Sequence, residues 1–227
     1  MQVIAMHGWA GDAQGWDAFQ AAWQRRGWCW QCGERGYGGQ TPRPVAWERG
    51  QGLKLVIAHS LGPHLLPAAV LAQADAVVLL ASFGAFVPGG ASGRRLRSAM
   101  AAMAKQLTGA EASTMLLTFM ERAAAPQPSS LLPPGITSAP LDASGRKRLG
   151  KDLTLLAATT GLPPGFPVQA RVLIVEGSED HIVNPQARQQ LRSLLPAADT
   201  LVLAGVGHCL ISPALVPTVF GWIEGLQ

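Results

Sequence analysis

Short apolar runs recur along the chain, and several of them end in histidine, serine or glycine. Runs that are apolar at every position and rich in β-branched residues are typical of strands buried on both faces of a parallel sheet. The pattern predicts strands at residues 2–6, 28–32, 55–58, 76–82, 172–175 and 200–203. Stretches with helical spacing lie between most of them. We therefore predict an α/β fold with a mostly parallel sheet of about six strands.

The segment between the fourth and fifth predicted strands is too long for a simple crossover. Its apolar residues have the spacing of helices, and Thr108 with Glu111 has the pattern of a capping box that would open the second of three helices. We predict that residues 84–165 form a helical lid. The core would then consist of residues 1–83 and 166–227.

The composition indicates a protein that buries most of its length. Only 14% of its 227 residues are charged and 48% are hydrophobic, whereas about 25% are charged in a typical globular protein. The sequence has no apolar run of the roughly 18 residues needed to span a bilayer. Its first residues also lack the basic region of a signal peptide. We therefore expect a cytoplasmic protein.

The third predicted strand ends in a candidate nucleophile. Ala58, Ser60 and Gly62 give the pattern small-x-Ser-x-Gly between a strand and a helix, as in the nucleophile elbow of α/β-hydrolases. The sharp turn needs small residues two positions before and after the serine, and alanine replaces the commoner glycine here. The N–H of Leu61 would then face a developing oxyanion. These residues alone leave open a tight turn with an inert serine.

The candidate acid and base follow the last two predicted strands, in the order Ser, Asp, His that α/β-hydrolases use. Asp180 fits the acid better than Glu176 or Glu179, because it ends a G-x-x-D turn. His208 lies in a glycine-flanked loop, where the base is expected. We expect the other histidines to be structural, with the side chain of His59 pointing away from the nucleophile.

The first predicted strand ends in His7-Gly8-Trp9, where such enzymes have their second oxyanion donor. That donor would be the N–H of Trp9. All of these candidates follow carboxyl ends of parallel strands, which meet at one edge of a sheet. We therefore expect them to form one site.

Cys29 and Cys32 form a C-x-x-C pair. A zinc site would need two further ligands at suitable spacing, and Cys209 is the one cysteine left. A redox dithiol should open a helix, whereas this pair lies in a strand pattern. We expect buried or half-buried thiols, and their role stays open.

Further motifs are spread over nearly the whole chain. They are His7-Gly8-Trp9 with Trp16, Ala81-Ser82 with Phe86, Gln106-Leu107, Asp180 with Val183 and Pro185, and Gly207-His208 with Ile211-Ser212-Pro213. Together they resemble the pimeloyl-acyl-carrier-protein methyl ester esterases, the carboxylesterases of biotin synthesis. The chain departs from that family at Ala58 and at Pro63-His64. It also begins on a strand, so we expect the sheet to lack its first two members.

The resemblance implies a serine carboxylesterase that removes the methyl ester of pimeloyl-acyl-carrier protein through an acyl-enzyme, with no metal or organic cofactor. The implied triad and oxyanion donors are Ser60, Asp180, His208, Trp9 and Leu61. The resemblance also implies that lid residues from Met103 to Leu107 line the acyl pocket. The triad leaves open other lidded carboxylesterases, thioesterases and carbon–carbon hydrolases. A non-catalytic, ligand-binding member of the fold is a further alternative.

Positive charge is concentrated in the predicted lid. Residues 84–165 carry nine Lys or Arg and four acids, a net charge of +5, while the rest of the chain has a net charge of −1. A basic lid would steer an acidic acyl-carrier protein to the pocket. The predicted docking residues are Arg94, Arg95, Arg97, Arg146, Lys147 and Arg148. Solvated helix faces are the alternative, and no motif supports nucleic-acid binding.

Overall fold

The computed structural model describes residues 1–138 and 141–226. Its sheet has six parallel strands in the order β2-β1-β3-β4-β5-β6. The strands are β1 (Gln2–Met6), β2 (Cys29–Gly33), β3 (Lys54–His59), β4 (Ala76–Leu80), β5 (Arg171–Gly177) and β6 (Asp199–Leu203). The predicted fold class is thus confirmed. The strand order reverses between β1 and β3, which is where open α/β sheets bind their ligands.

Helices cover both faces of the sheet because its strands are apolar on both sides. The helices are α1 (Asp17–Gln24), α2 (Gly62–Leu65), α3 (Ala68–Leu71), α4 (Gly90–Leu107), α5 (Ala112–Ala124), α6 (Ala143–Ala158), α7 (Pro185–Leu194) and α8 (Leu215–Glu224). Val3 and Ile57 face α1 and α8, whereas their neighbours Ile4 and Val56 face α3 and α7. This alternation fixes the register of each strand.

Two details of the helices follow from single residues. Pro67 divides the segment after β3 into α2 and α3, because proline has no N–H to continue the helix. The predicted capping box at Thr108 is wrong. The hydroxyl of Thr108 donates backwards to the carbonyl of Lys105 and so closes α4, while Glu111 precedes α5 as its N-cap residue and makes no side-chain capping bond.

Helices α4, α5 and α6 follow β4 and lie over the carboxyl ends of the strands, where a separate apolar cluster joins them to the core. The end of α5 contacts the loop after β6. The N–H of Cys209 donates to the carbonyl of Ala123 at 2.9 Å. A Cβ at Gly207 would collide with the carbonyl of Ala125, so glycine is needed for this close approach.

Within the described ranges, none of the helices combines the length and the apolar character needed to cross a membrane.

Candidate active site

Ser60 lies in a strained turn between β3 and α2. Its φ is +54°, a left-handed conformation that non-glycine residues rarely adopt. A Cβ at Gly62 would collide with the carbonyl of Met6, and one at Gly8 would lie 2.9 Å from the Cβ of Ser60. The hydroxyl of Ser82 donates to the carbonyl of Ser60 at 2.7 Å. The sequence around Ser60 therefore folds as a nucleophile elbow.

The structure brings Ser60, His208 and Asp180 together in a buried chain of hydrogen bonds. His208 Nε2 lies 3.1 Å from Ser60 Oγ, and His208 Nδ1 lies 2.9 Å from Asp180 Oδ2. A carboxylate only accepts hydrogen bonds, so Nδ1 carries the proton and Nε2 is free to accept the proton of the serine. The three side chains have the geometry needed for nucleophilic catalysis.

Asp180 is held as a carboxylate by the groups around it. Its Oδ1 accepts the N–H groups of Ile182 and Val183 at 2.8 and 2.9 Å. Burial acts to raise the pKa of Asp180, but the charge and hydrogen bond of His208, together with these N–H groups, lower it overall. The other two acids are elsewhere. Glu176 pairs with Arg192, and Glu179 is exposed.

Two main-chain N–H groups are available beside the nucleophile. Within residues 1–138 and 141–226, neither the N–H of Trp9 nor that of Leu61 donates to another group of the protein. Trp9 lies on the loop after β1, which Gly8 brings against Ser60. The indole N–H of Trp9 donates to the carbonyl of Leu149 on α6 at 2.9 Å. This arrangement suits an oxyanion hole.

His59 contacts the candidate base, which sequence reasoning missed. Its Nε2 lies 2.9 Å from the carbonyl oxygen of His208, and the two rings are 4.9 Å apart. Burial, and then the charge of His208, lower the pKa of His59 to about 4. The ring is therefore neutral near pH 7, with its proton on Nε2. The sequence places His59 next to Ser60, but no signal in it shows this contact across 149 positions.

A large cavity of about 1060 Å³ opens beside Trp9, between the core and helices α4, α5 and α6, the segment for which the sequence predicts a lid. Its apolar wall comes from both lid and core, and includes Trp9, Phe86, Leu96, Met100, Met103, Met115, Phe119, Leu153, Leu156 and Ile182. Met103 lines this cavity, and its contact with an acyl chain stays a prediction. The prediction for Leu107 is wrong, because Leu107 is the last residue of α4 and is 1% exposed in the apolar cluster beneath the lid.

A second cavity of about 320 Å³ lies on the other side of Trp9 and Phe119, whose rings meet edge to face at 4.9 Å. Its lining includes His208, Met120 of α5 and the loop after β1. The site thus has two compartments that share a wall. Only the smaller one is lined by the candidate base.

The six predicted docking residues fall into two groups. Arg94, Arg95 and Arg97 on α4 and Lys147 on α6 are exposed. The remaining two form bonds within the protein. Arg146 donates to the carbonyls of Leu107 and Gly109, and Arg148 donates to the carbonyl of Gly36 at 2.8 Å. Arg146 therefore ties α6 to the end of α4, and Arg148 ties α6 to the loop after β2. Both side chains keep their positive charge, and carrier docking at the six residues stays a prediction.

The thiols of Cys29 and Cys32 do not form a pair. They are three residues apart in β2, so they lie on opposite faces of the sheet, one exposed and one buried. Burial raises the pKa of Cys32 to about 12, and that of Cys209 to about 12 as well. Among the residues described, no three His, Cys, Asp or Glu side chains are grouped to hold a metal ion.

No family model matches the sequence, and no curated protein matches it. Solved structures do match. An esterase from Exiguobacterium antarcticum has a TM-score of 0.77 at 14% identity, over 99% of this chain and 92% of that one. The enol-lactonase of Burkholderia xenovorans LB400 has a TM-score of 0.72 at 12% identity, over 98% and 91%.

A third match is MGS-M2, an alpha/beta hydrolase enzyme from a Medee basin deep-sea metagenome library. Its TM-score is 0.68 at 13% identity, over 98% of this chain and 89% of that one. At such identities a structural likeness establishes the fold rather than the reaction. The chain has the α/β-hydrolase fold.

Proposed function

We propose that this protein is a serine carboxylesterase. The observation that carries the proposal is the continuous chain from Ser60 Oγ through His208 to Asp180, with bonds of 3.1 and 2.9 Å, at the strained turn after β3. The matched esterase and enol-lactonase structures support hydrolysis of an ester bond. The triad also argues against a purely ligand-binding role, since such a role does not need an activated serine.

The reaction follows from the positions of these groups. His208 Nε2 takes the proton of Ser60 as Oγ attacks the ester carbonyl, and Asp180 stabilises the imidazolium that forms. The N–H groups of Trp9 and Leu61 donate to the oxyanion of the tetrahedral intermediate. His208 then gives its proton to the leaving alcohol, which leaves an acyl group on Ser60. Water repeats the same steps and releases the acid.

Replacement of the nucleophile tests this function. Ser60→Ala should lower kcat on a p-nitrophenyl ester by about a million-fold and abolish labelling by a fluorophosphonate, with an unchanged melting temperature. Ser193→Ala is a suitable control, because Ser193 is exposed on α7 and its hydroxyl bonds only within that helix. Full activity in Ser60→Ala would remove this residue from the mechanism.

We further propose that the substrate is the methyl ester of pimeloyl-acyl-carrier protein. The resemblance in sequence motifs suggests this substrate, and two features support it. The apolar cavity of about 1060 Å³ has room for a linear acyl chain. The exposed Arg94, Arg95 and Arg97 on α4 offer positive charge to an acidic carrier. The carrier would stay outside the lid while its acyl arm reaches Ser60.

Carrier-bound and small substrates separate docking from chemistry. Arg94→Glu combined with Arg97→Glu should lower kcat/KM for the carrier-bound ester about tenfold or more, and added salt should do the same. Hydrolysis of p-nitrophenyl acetate should barely change. Arg171→Glu provides a control, since Arg171 is exposed at the start of β5, at the amino ends of the strands and away from α4. Equal losses on both substrates would indicate a damaged lid, and no loss on either would refute docking at α4.

Growth provides a separate test of the biological substrate. The chain should restore growth without biotin to a strain that lacks its own pimeloyl-acyl-carrier-protein methyl ester esterase, and Ser60→Ala should not. Failure of the active enzyme to restore growth would exclude this substrate while leaving the esterase activity in place.

A general carboxylesterase is the second candidate, and the smaller cavity favours it. That cavity is lined by His208, the group that must protonate the leaving alcohol, and its volume of about 320 Å³ greatly exceeds the space that a methyl group needs. A series of esters with one acyl group and alcohols from methyl to octyl decides between the two. A marked preference for the larger alcohols would favour the general esterase.

A further inference from the structure

Asp152 is a buried carboxylate on the lid helix α6, and its partners lie outside the lid. It is 1% exposed. Arg35 donates to it through two nitrogens, Nε to Oδ2 and Nη2 to Oδ1, both at 2.8 Å. The hydroxyl of Tyr37 donates to Oδ2 at 2.6 Å. Burial acts to lower the pKa of Arg35, but the hydrogen bonds and charge of Asp152 raise it overall, so the guanidinium keeps its proton.

Arg35 joins this carboxylate to the loop that carries Trp9. Arg35 lies in the loop after β2, the strand that pairs with β1. Its main-chain N–H donates to Nε2 of His7 at 3.2 Å. His7 directly precedes Gly8 and Trp9. The adjacent Glu34 accepts the N–H of Ala13 at 2.8 Å, just beyond the same loop. The loop after β2 therefore holds the loop after β1 from one side.

The same part of α6 holds the loop after β1 a second time. The indole N–H of Trp9 donates to the carbonyl of Leu149 at 2.9 Å. Leu149 lies three residues before Asp152, which places both contacts within one turn of the helix. One point of attachment acts through the side chain of Trp9, and the other acts through Arg35 and His7.

We propose that Asp152 is a positioning residue that fixes the main-chain N–H of Trp9 in the oxyanion hole. A buried ion pair contributes little net stability compared with an apolar pair, so stability alone gives a weak reason for this one. It does impose a fixed geometry, and a displaced oxyanion donor is costly because its bond matters most in the transition state. The proposal rests on the esterase function above.

Asp152→Asn tests this role, because it keeps the shape of the side chain and removes its charge. Per active site titrated with a fluorophosphonate, kcat on a p-nitrophenyl ester should fall about ten- to a hundredfold, with KM changed by less than about threefold. The inhibition constant of a trifluoromethyl ketone, which forms a tetrahedral oxyanion on serine, should rise in proportion to the loss in kcat/KM. Lys151→Gln, exposed on the same helix, should leave these values unchanged.

A second variant separates positioning from folding. Arg35→Met, Tyr37→Phe and Asp152→Leu together remove both charges and the buried hydroxyl that Asp152 accepts, so this triple variant should recover most of any melting temperature lost in Asp152→Asn. The lower kcat should remain. If kcat per titrated site returns to the native value in this variant, or stays within twofold of it in Asp152→Asn, the proposal is wrong.

Hydrogen exchange provides a readout that does not depend on activity. In Asp152→Asn, peptides that contain Trp9 should exchange their amide hydrogens faster than in the native protein and in Lys151→Gln. Unchanged exchange would overturn the positioning role. If the native protein hydrolyses no ester, the proposed function fails, whereas the exchange comparison still decides whether Asp152 orders this loop.

Discussion

His59 Nε2 donates to the carbonyl oxygen of His208 at 2.9 Å. The residue next to the nucleophile thereby holds the main chain of the candidate base, 149 positions away in sequence. The carbonyl can only accept, so Nε2 carries a proton, and with a pKa of about 4 the ring is the neutral Nε2–H tautomer near pH 7. The residue that precedes Ser60 in the chain thus also holds the main chain of His208.

Loss of this bond should slow the reaction without weakening substrate binding. His59→Phe removes the donor, so we expect kcat on a small ester to fall about tenfold, with little change in KM. His64→Phe is a matched control, because His64 stacks on Phe83 and does not touch His208. Steady-state kinetics on the three proteins decide the matter. An unaffected His59→Phe, or an equal loss in His64→Phe, would contradict this role.

Loss of the Asp180 carboxylate should lower kcat far more than loss of the neighbouring Glu179 carboxylate. Asp180→Asn leaves the shape of the turn but removes the acceptor that orients His208, so kcat should fall by about 10⁴. Glu179→Gln should stay within about twofold of the native rate, since Glu179 is exposed and contacts Ser178. The comparison needs only p-nitrophenyl ester kinetics. A greater loss in Glu179→Gln would assign the acid to the wrong residue.

Stability should fall on mild acidification. The pKa of His59 and of His64 is about 4 in the folded protein, because burial disfavours the charged ring, while an unfolded histidine has a pKa near 6.5. Below pH 6.5 the unfolded chain therefore binds protons that the folded chain does not. Each histidine should lower the free energy of unfolding by up to about 1.4 kcal/mol per pH unit between pH 6.5 and 5.

Urea unfolding at pH 7.5, 6 and 5 measures this slope. Asp180 has a lowered pKa and affects stability only at more acidic pH, so it does not contribute in this range. The variant with both His59→Phe and His64→Phe should show a flatter dependence than the native protein. An equal slope in both proteins would show that other groups are responsible.

Two methionines on α5 should control different parts of the substrate. Met115 lines the large cavity and Met120 the small one. Met115→Ala should shift the preference among p-nitrophenyl esters from acetate to decanoate towards longer acids. Met120→Ala should leave that series unchanged and shift the preference among butyrate esters towards larger alcohols, because His208 lines its cavity. A reversed result would exchange the roles of the two cavities.

Local motifs made the sheet and the triad predictable. Ser60, Asp180 and His208 each follow a strand, and parallel strands bring their carboxyl ends together whatever lies between them. Small residues around Ser60 are required by the turn itself. The same reasoning could not locate Leu107, because helical spacing assigns a residue to a face but does not show whether that face meets a cavity or the core.

Contacts between distant segments could not be predicted from the sequence either, because local patterns do not show which segments meet. Arg35 and Asp152 are 117 positions apart, and nothing in a single sequence pairs one arginine with one acid. Arg146 and Arg148 looked like free surface charge, but each satisfies a main-chain carbonyl. The pattern at Thr108 misled because serine and threonine hydroxyls also bond backwards at the end of a helix.

The contact of Gly207 with the carbonyl of Ala125 limits which part of the lid could be redesigned. It ties α5 to the loop of the candidate base, just as Leu149 and Asp152 tie α6 to the loop of Trp9. Within residues 1–138 and 141–226, α4 has no hydrogen bond to either loop. Libraries that randomise Leu96, Ala99 and Met103, which α4 contributes to the large cavity, should therefore change substrate preference without loss of turnover. Exchange of α4, α5 and α6 together should also abolish turnover.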